Sequence, residues 1–183
     1  MKFDQRPWVS LDLKPQGPFE KDDSGWVYTF AYDLSNVGRS PAFNVVFSSM
    51  MIPMAPPFDA PPPSSGYSYP DPSAAVRRAI KDTCQQNEAL RARGVGDILF
   101  PNSQQNLHWK AHSQVSTKGY LPALAVVACV SYQFSGDPAV HETVRVFDLE
   151  RRDYGQTIHV DDFGILPQDL VFFPYLIDGF SAN

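Results

Sequence analysis

The sequence predicts a mainly β fold: an antiparallel immunoglobulin-like β-sandwich forming one domain over residues 1–183, with one inserted α-helix after a Pro-rich loop at 53–94. Three observations predict it. About seven short segments alternate apolar and polar residues at a spacing of two, Gly, Pro, Asn and Asp separate them, and one helical pattern follows a run of prolines. The Cys–Trp–Cys spacing of antibody-type domains is absent, so strand number and alternation carry the prediction.

In Trp8-Val-Ser-Leu-Asp-Leu-Lys14, Val9, Leu11 and Leu13 share a face, and Pro15 and Pro18 are expected to end that strand. Glu20 to Gly25 reads as a charged loop. Trp26, Tyr28, Phe30, Tyr32 and Leu34 then fall on one face of a long second strand, with Val27, Thr29, Ala31 and Asp33 on the other. Asn36-Val37-Gly38 supplies residues that tolerate positive φ, and Pro41 deletes a backbone donor where a third strand, Ala42 to Ile52, begins.

Eight prolines lie between Pro53 and Pro72, each fixing φ and deleting a donor, so the segment is a stiff surface excursion. A helix from about Pro72 to Arg93 follows, with Asp71 as N-cap, Pro72 at the first turn and Gly94 as the stop. Its thin apolar stripe is Val76, Ile80, Thr83, Asn87 and Leu90, so it packs by one edge. Asp97 to Pro101 reads as a short strand, Asn102 to Asn106 as a turn, and Leu107 to Val115 as a weaker strand. Ala123 to Phe134 and Val140 to Glu150 form an antiparallel hairpin about Ser135-Gly-Asp-Pro138. Ile158 to Val160 reads as an edge strand and Leu166 to Val171 as a helical turn. Phe172 to Ile177 is an apolar tail that must lie on something.

Composition narrows the function classes. Hydrophobic residues at 43% and charged residues at 19% place the chain with globular proteins rather than disordered ones. A net charge of -5 supplies no basic field for nucleic acid. The longest apolar run, Leu121 to Val130, falls short of the roughly 20 residues that span a bilayer and reads as a core strand. The first residues show no signal-peptide pattern. Cys84 and Cys129 make no metal-type spacing and read as two buried thiols, with a single disulfide as the alternative.

No residue is assigned a catalytic, cofactor-binding or metal-binding role. His108 and His112 have the i, i+4 spacing of helical zinc ligands, but on a strand they stand about 13 Å apart. Asp22-Asp23 and His159-Val-Asp-Asp162 read as solvated acidic loops rather than calcium loops. His141-Glu142 beside Asp137 resembles a base with an orienting carboxylate, yet no nucleophile elbow accompanies it. Arg77, Arg78, Lys81, Arg91 and Arg93 read as a solvated helix face. The Pro-rich segment 53–72, with Tyr67 and Tyr69, is the feature that invites a protein partner.

Asn36-Val-Gly-Arg-Ser-Pro-Ala-Phe-Asn-Val45 resembles an Asn-x-Gly-x-Ser/Thr-Pro-Ala-x-Asn-Val pattern of uncharacterised bacterial membrane-anchored proteins. Arg6-Pro-Trp-Val9, Leu99-Phe-Pro101, Tyr132-Gln-Phe-Ser-Gly-Asp and Glu142-Thr-Val-Arg145 resemble further segments of that family. The resemblance implies a β-sandwich carried beside the membrane by an N-terminal helix that this chain lacks. It implies no activity, and casts Asn36, Gly38, Pro41 and Ala42 as fold-defining residues. The expectation is a noncatalytic protein-interaction module without cofactors. It would be membrane-anchored in the full-length protein, with the periplasmic side preferred; a bridge between the two cysteines would favour an oxidising compartment. The alternatives are a ligand- or glycan-binding sandwich and a metal-dependent hydrolase on a sandwich scaffold.

Overall fold

The alternating segments become strands of two facing antiparallel sheets. The computed structural model describes residues 6–22, 25–54, 72–113, 124–152 and 166–175. Its elements are β1 (Val9–Asp22), β2 (Gly25–Asn36), β3 (Ala42–Pro53), α1 (Pro72–Ala92), β4 (Asp97–Leu99), β5 (Gln104–Ser113), β6 (Leu124–Phe134), β7 (Asp137–Arg151) and β8 (Leu170–Pro174), with a 3-10 turn at Pro167–Asp169. One sheet has the order β1-β2-β5 and the other β4-β3-β6-β7-β8.

The inward faces form one core. Tyr28, Phe30, Tyr32 and Leu34 of β2 meet Phe47 and Met51 of β3, Val126 and Val130 of β6 and Phe147 of β7. Tyr32 stacks on Phe47 with ring centroids 3.8 Å apart, and Trp109 meets Phe47 edge-on at 5.4 Å. Of the apolar tail, Phe172 to Pro174 find their support in β8, pairing with β7, where Phe172 packs against Tyr28, Phe30 and Phe147. The Tyr28 hydroxyl is buried without a partner among the described residues, and burial pushes its ionisation up.

β6 is buried on both faces, which explains its unbroken apolar run. Leu124, Val126, Ala128 and Val130 face the other sheet, whereas Ala125 and Val127 pack with Val146 against Val76 and Ala79 of α1. The helix is therefore a third layer, held by one edge as its thin stripe predicts. It stops at Gly94, whose φ of 75° permits a Schellman closure: Gly94 N–H donates to Arg91 O (2.8 Å) and Val95 N–H to Leu90 O (3.1 Å).

The boundaries expected around the first strand are corrected, and Gln104 to Asn106, expected as turn, and Leu170 and Val171, expected in a helical turn, belong to β5 and β8. Pro15 and Pro18 do not end the first strand: β1 passes through them with a register shift between Pro15 and Phe19 and continues to Asp22. β1 is an edge strand, where a missing donor is tolerated. Glu20 to Asp22, read as loop, pair with Val27, Trp26 and Gly25. The edge strand expected at 158–160 lies outside the described residues.

The crossing from β2 to β3 rests on Asn36 and Gly38, but not through positive φ. Asn36 is fully buried, and its Oδ1 accepts from Trp8 N (3.3 Å) and Gly38 N (3.0 Å). Its Nδ2 donates to Ser40 O (2.8 Å) and Leu99 O (3.0 Å). A Cβ on Gly38 would lie 2.3 Å from Arg6 O and 2.5 Å from Trp8 N, so glycine is required for close approach. The left-handed residue is Asn44, at φ 50°, in a bulge that shifts the register of β3 against both neighbours.

Asn36→Ala orphans two carbonyls and two N–H groups and is expected to cost roughly 3–5 kcal/mol, while Gly38→Ala costs roughly 2–3 kcal/mol by overpacking. Urea unfolding checks this as a lowered midpoint at unchanged slope. Tyr28→Phe removes an unpartnered hydroxyl, so its stability is expected to equal or exceed the parent's by about 1 kcal/mol. A loss of that size in the same assay would contradict the buried-orphan assignment.

Candidate functional site

The most chemically distinctive cluster lies between α1 and the sheet beneath it. Cys84 sits on the buried face of α1 and Cys129 on the helix-facing side of β6, with Cα atoms 5.5 Å apart, and they form a disulfide. This corrects the reading of two buried thiols. The pairing is invisible in spacing because 45 residues separate the two in sequence, and only the docked helix brings them together. Closing a loop of that length stabilises the fold by about 4 kcal/mol in the chain-entropy account.

Glu142 of β7 completes the cluster: its carboxylate and the two Sγ atoms lie within 4.8 Å of one another. Asn87, one turn beyond Cys84, donates from Nδ2 to the carbonyl of Cys129 (3.1 Å). Its Oδ1 finds no partner among the described residues. The same is true of the Oγ of Ser131, which pairs across from Glu142. Both residues are completely buried. Of the expected solvated basic face, Arg77, Arg78, Lys81 and Arg93 are exposed. Arg91 departs from it, with a buried Nη1 that lacks a hydrogen-bond partner among the described residues.

The histidines divide between the sheets. His108 and His112 lie four residues apart on β5, opposite Ala31 and Val27, and His108 Nδ1 contacts Gln16 Oε1. His141 sits on β7 against Phe134 and Tyr132, with Nε2 3.2 Å from Asp137 Oδ2. The imagined His–Asp pairing is thus present, and the N–H of Ala139, then His141, hold the Asp137 carboxyl below its usual range. The nearest hydroxyl along that side of β7, Thr143 Oγ1, already donates to Val9 O (2.8 Å). His159, the acidic side chains at 22–23 and 161–162, and most of the Pro-rich segment, including Tyr67 and Tyr69, lie outside the described residues.

On the outward face of the three-stranded sheet, Asp33 accepts from Lys14 Nζ and Asn106 Nδ2, each at 2.5 Å. The Lys14 ammonium holds the Asp33 carboxyl below its ordinary value.

A second feature, missed by sequence reasoning, surrounds Asn36. Val37 N–H donates to Trp8 O, Asn36 N–H to Ser103 O, and Ser103 N–H to Phe100 O, so three segments converge at one end of the sandwich. They leave Trp8, Val37 and Phe100 47%, 67% and 60% exposed, with the Arg6 guanidinium 5.9 Å from the Trp8 ring centroid.

Fold and clusters together define a two-sheet β-sandwich with a helix fastened to its outer face by a disulfide. No protein-family model, curated protein or solved structure matches the chain. Among the described residues, no helix is long and apolar enough to cross a membrane.

Asp148 on β7 supplies a pH test. Burial, then Glu150, push its carboxyl up to about 6 from 3.8. The folded state therefore holds more protons than the unfolded between these values, and stability from this group falls as pH rises through that window. Asp148→Asn is expected to stabilise the protein by about 1–2 kcal/mol at pH 7, after discounting for the group's partial exposure, and to flatten the dependence between pH 4 and 6. Thermal melts across that range measure both effects.

Proposed function

We propose that the chain is a noncatalytic immunoglobulin-like domain that binds a protein partner beside a bacterial membrane. The observation that carries this reading is the exposed apolar end, Trp8, Val37 and Phe100, displayed on a framework that Asn36 holds rigidly. Aromatic residues flanked by arginine are the composition of energetic centres in protein interfaces. Arg6 and the exposed Arg39 suit a partner surface that combines apolar and acidic groups.

Strand order supports the immunoglobulin-like assignment. Named A, B, C, C′, E, F and G in chain order, β1-β2-β5 becomes A-B-E and β4-β3-β6-β7 becomes C′-C-F-G, with β8 an additional strand. The disulfide supports an oxidising compartment, and with it the periplasmic side. Anchoring rests on the resemblance of residues 36–45 to membrane-anchored proteins. The Pro-rich segment 53–72, with Tyr67 and Tyr69, is a second candidate contact by its composition alone.

Photo-crosslinking in producing cells tests the reading, with benzoylphenylalanine placed at Phe100, at Tyr69 and, as control, at exposed Lys110 on the outward face of the three-stranded sheet. A discrete protein adduct from Phe100, absent from Lys110, is expected. Adducts from Tyr69 alone would move the interface to the Pro-rich segment, and adducts from none would overturn the interaction reading.

A further inference from the structure

We infer that the Cys84–Cys129 disulfide masks a zinc site, which opens when the bond is reduced. Two sulfur atoms and one carboxylate oxygen, from α1, β6 and β7, already lie within 4.8 Å of one another. Two thiolates and a carboxylate are three ligands of a type that zinc accepts, and its tetrahedral preference leaves one position for a further donor. The cluster holds two independent signs of an absent partner. Asn87 Oδ1 and Ser131 Oγ are completely buried and find no hydrogen-bond partner among the described residues, a costly state unless something satisfies them.

The placement assigns the roles. Asn87 lies one turn after Cys84 and is tied to the Cys129 carbonyl, so its unused Oδ1 serves as the fourth donor or holds a water there. Ser131, directly across from Glu142, is positioned to orient the carboxylate. Glu142 is only partly buried, which gives the ion a path from solvent that the sulfurs alone would not provide.

The step balances as follows. A dithiol reductant is oxidised to its own disulfide and delivers two electrons and two protons to the Sγ–Sγ bond, giving two thiols. Zn²⁺ then displaces both thiol protons. Two thiolates, one carboxylate and a divalent cation leave a net charge of minus one. Arg91, one turn beyond Asn87, carries a buried Nη1 with no hydrogen-bond partner among the described residues and supplies a cation on the same helix. Separating the sulfurs to the roughly 3.8 Å spanned by two Zn–S bonds of about 2.3 Å is within the reach of side-chain rotation.

Cobalt(II) is the probe. The full chain is reduced anaerobically with a phosphine, freed of reductant and titrated, while the oxidised chain is titrated in parallel. Expected are one Co²⁺ per reduced chain, a sulfur-to-cobalt charge-transfer band of two-thiolate intensity, tetrahedral d–d bands, displacement by Zn²⁺, and none of these in the oxidised chain. Glu142→Gln removes a ligand, so it should weaken binding beyond the roughly 10–100-fold loss typical of an outer-shell change. Far-ultraviolet circular dichroism follows the fold throughout. Absence of the thiolate band in reduced protein overturns the inference. So does equal affinity in the Glu142→Gln chain, because two cysteines in an opened chain would then account for the binding.

Discussion

The hydrogen bonding of Asn36 is the constraint on which the rest of the sandwich depends. A chain crossing from one sheet to the other must leave its ladder, and the backbone groups at that point need other partners. Asn36 answers with six hydrogen bonds: its amide serves two donors and two acceptors, while its backbone accepts from Asn102 and donates to Ser103 O. An aspartate would lose both side-chain donors and bury a charge, and a serine would be too short to reach both sides. Through this one side chain the start of β1, the β2–β3 crossing and the end of β4 share one geometry. Gly38 can then lie against the backbone of residues 6–8 only because it has no Cβ.

A second layer of dependence runs through β6. Its central position needs apolar cover on both faces, and one face is met by the opposing sheet. The other is met by α1, whose buried contact is small: Val76 and Ala79, supported by Ile80 and by residues of β3. A stripe of this width gives limited adhesion, at about 1.5–3 kcal/mol for each large buried side chain. The disulfide and the Asn87 bond to the Cys129 carbonyl lie toward the C-terminal half of the helix, where that apolar contact thins. Covalent and apolar fastening are thus divided along the helix.

Much of this was legible in the residues. The alternation in β2, the turn chemistry before β7, Gly94 as the helix stop and the unbroken run in β6 each reflect local physics, and each produced the expected element. The first strand runs on through Pro15 and Pro18 because proline is harmful only where a neighbour requires its donor, and edge position is a property of the whole sheet. The left-handed conformation falls on Asn44 rather than on the Asn36-Val37-Gly38 turn, and asparagine is among the residues that adopt it most readily. The cluster at Cys84, Cys129 and Glu142 comes from three separate elements, so no spacing rule could reveal it. The exposed Trp8, Val37 and Phe100 were equally hidden, because exposure at a strand end depends on which segments converge there.

The cross-link between residues 84 and 129 has a topological effect besides its effect on stability. Together with the backbone it closes a ring that contains the end of α1, β4, β5 and the start of β6, and so includes strands from both sheets. A protease that cut once inside this ring would leave two fragments still joined by sulfur. Such a nick would give a single band on a non-reducing gel, and two bands once thiol was added. The domain can therefore be cleaved on that side and keep its parts together, a form of damage tolerance that neither sheet supplies alone.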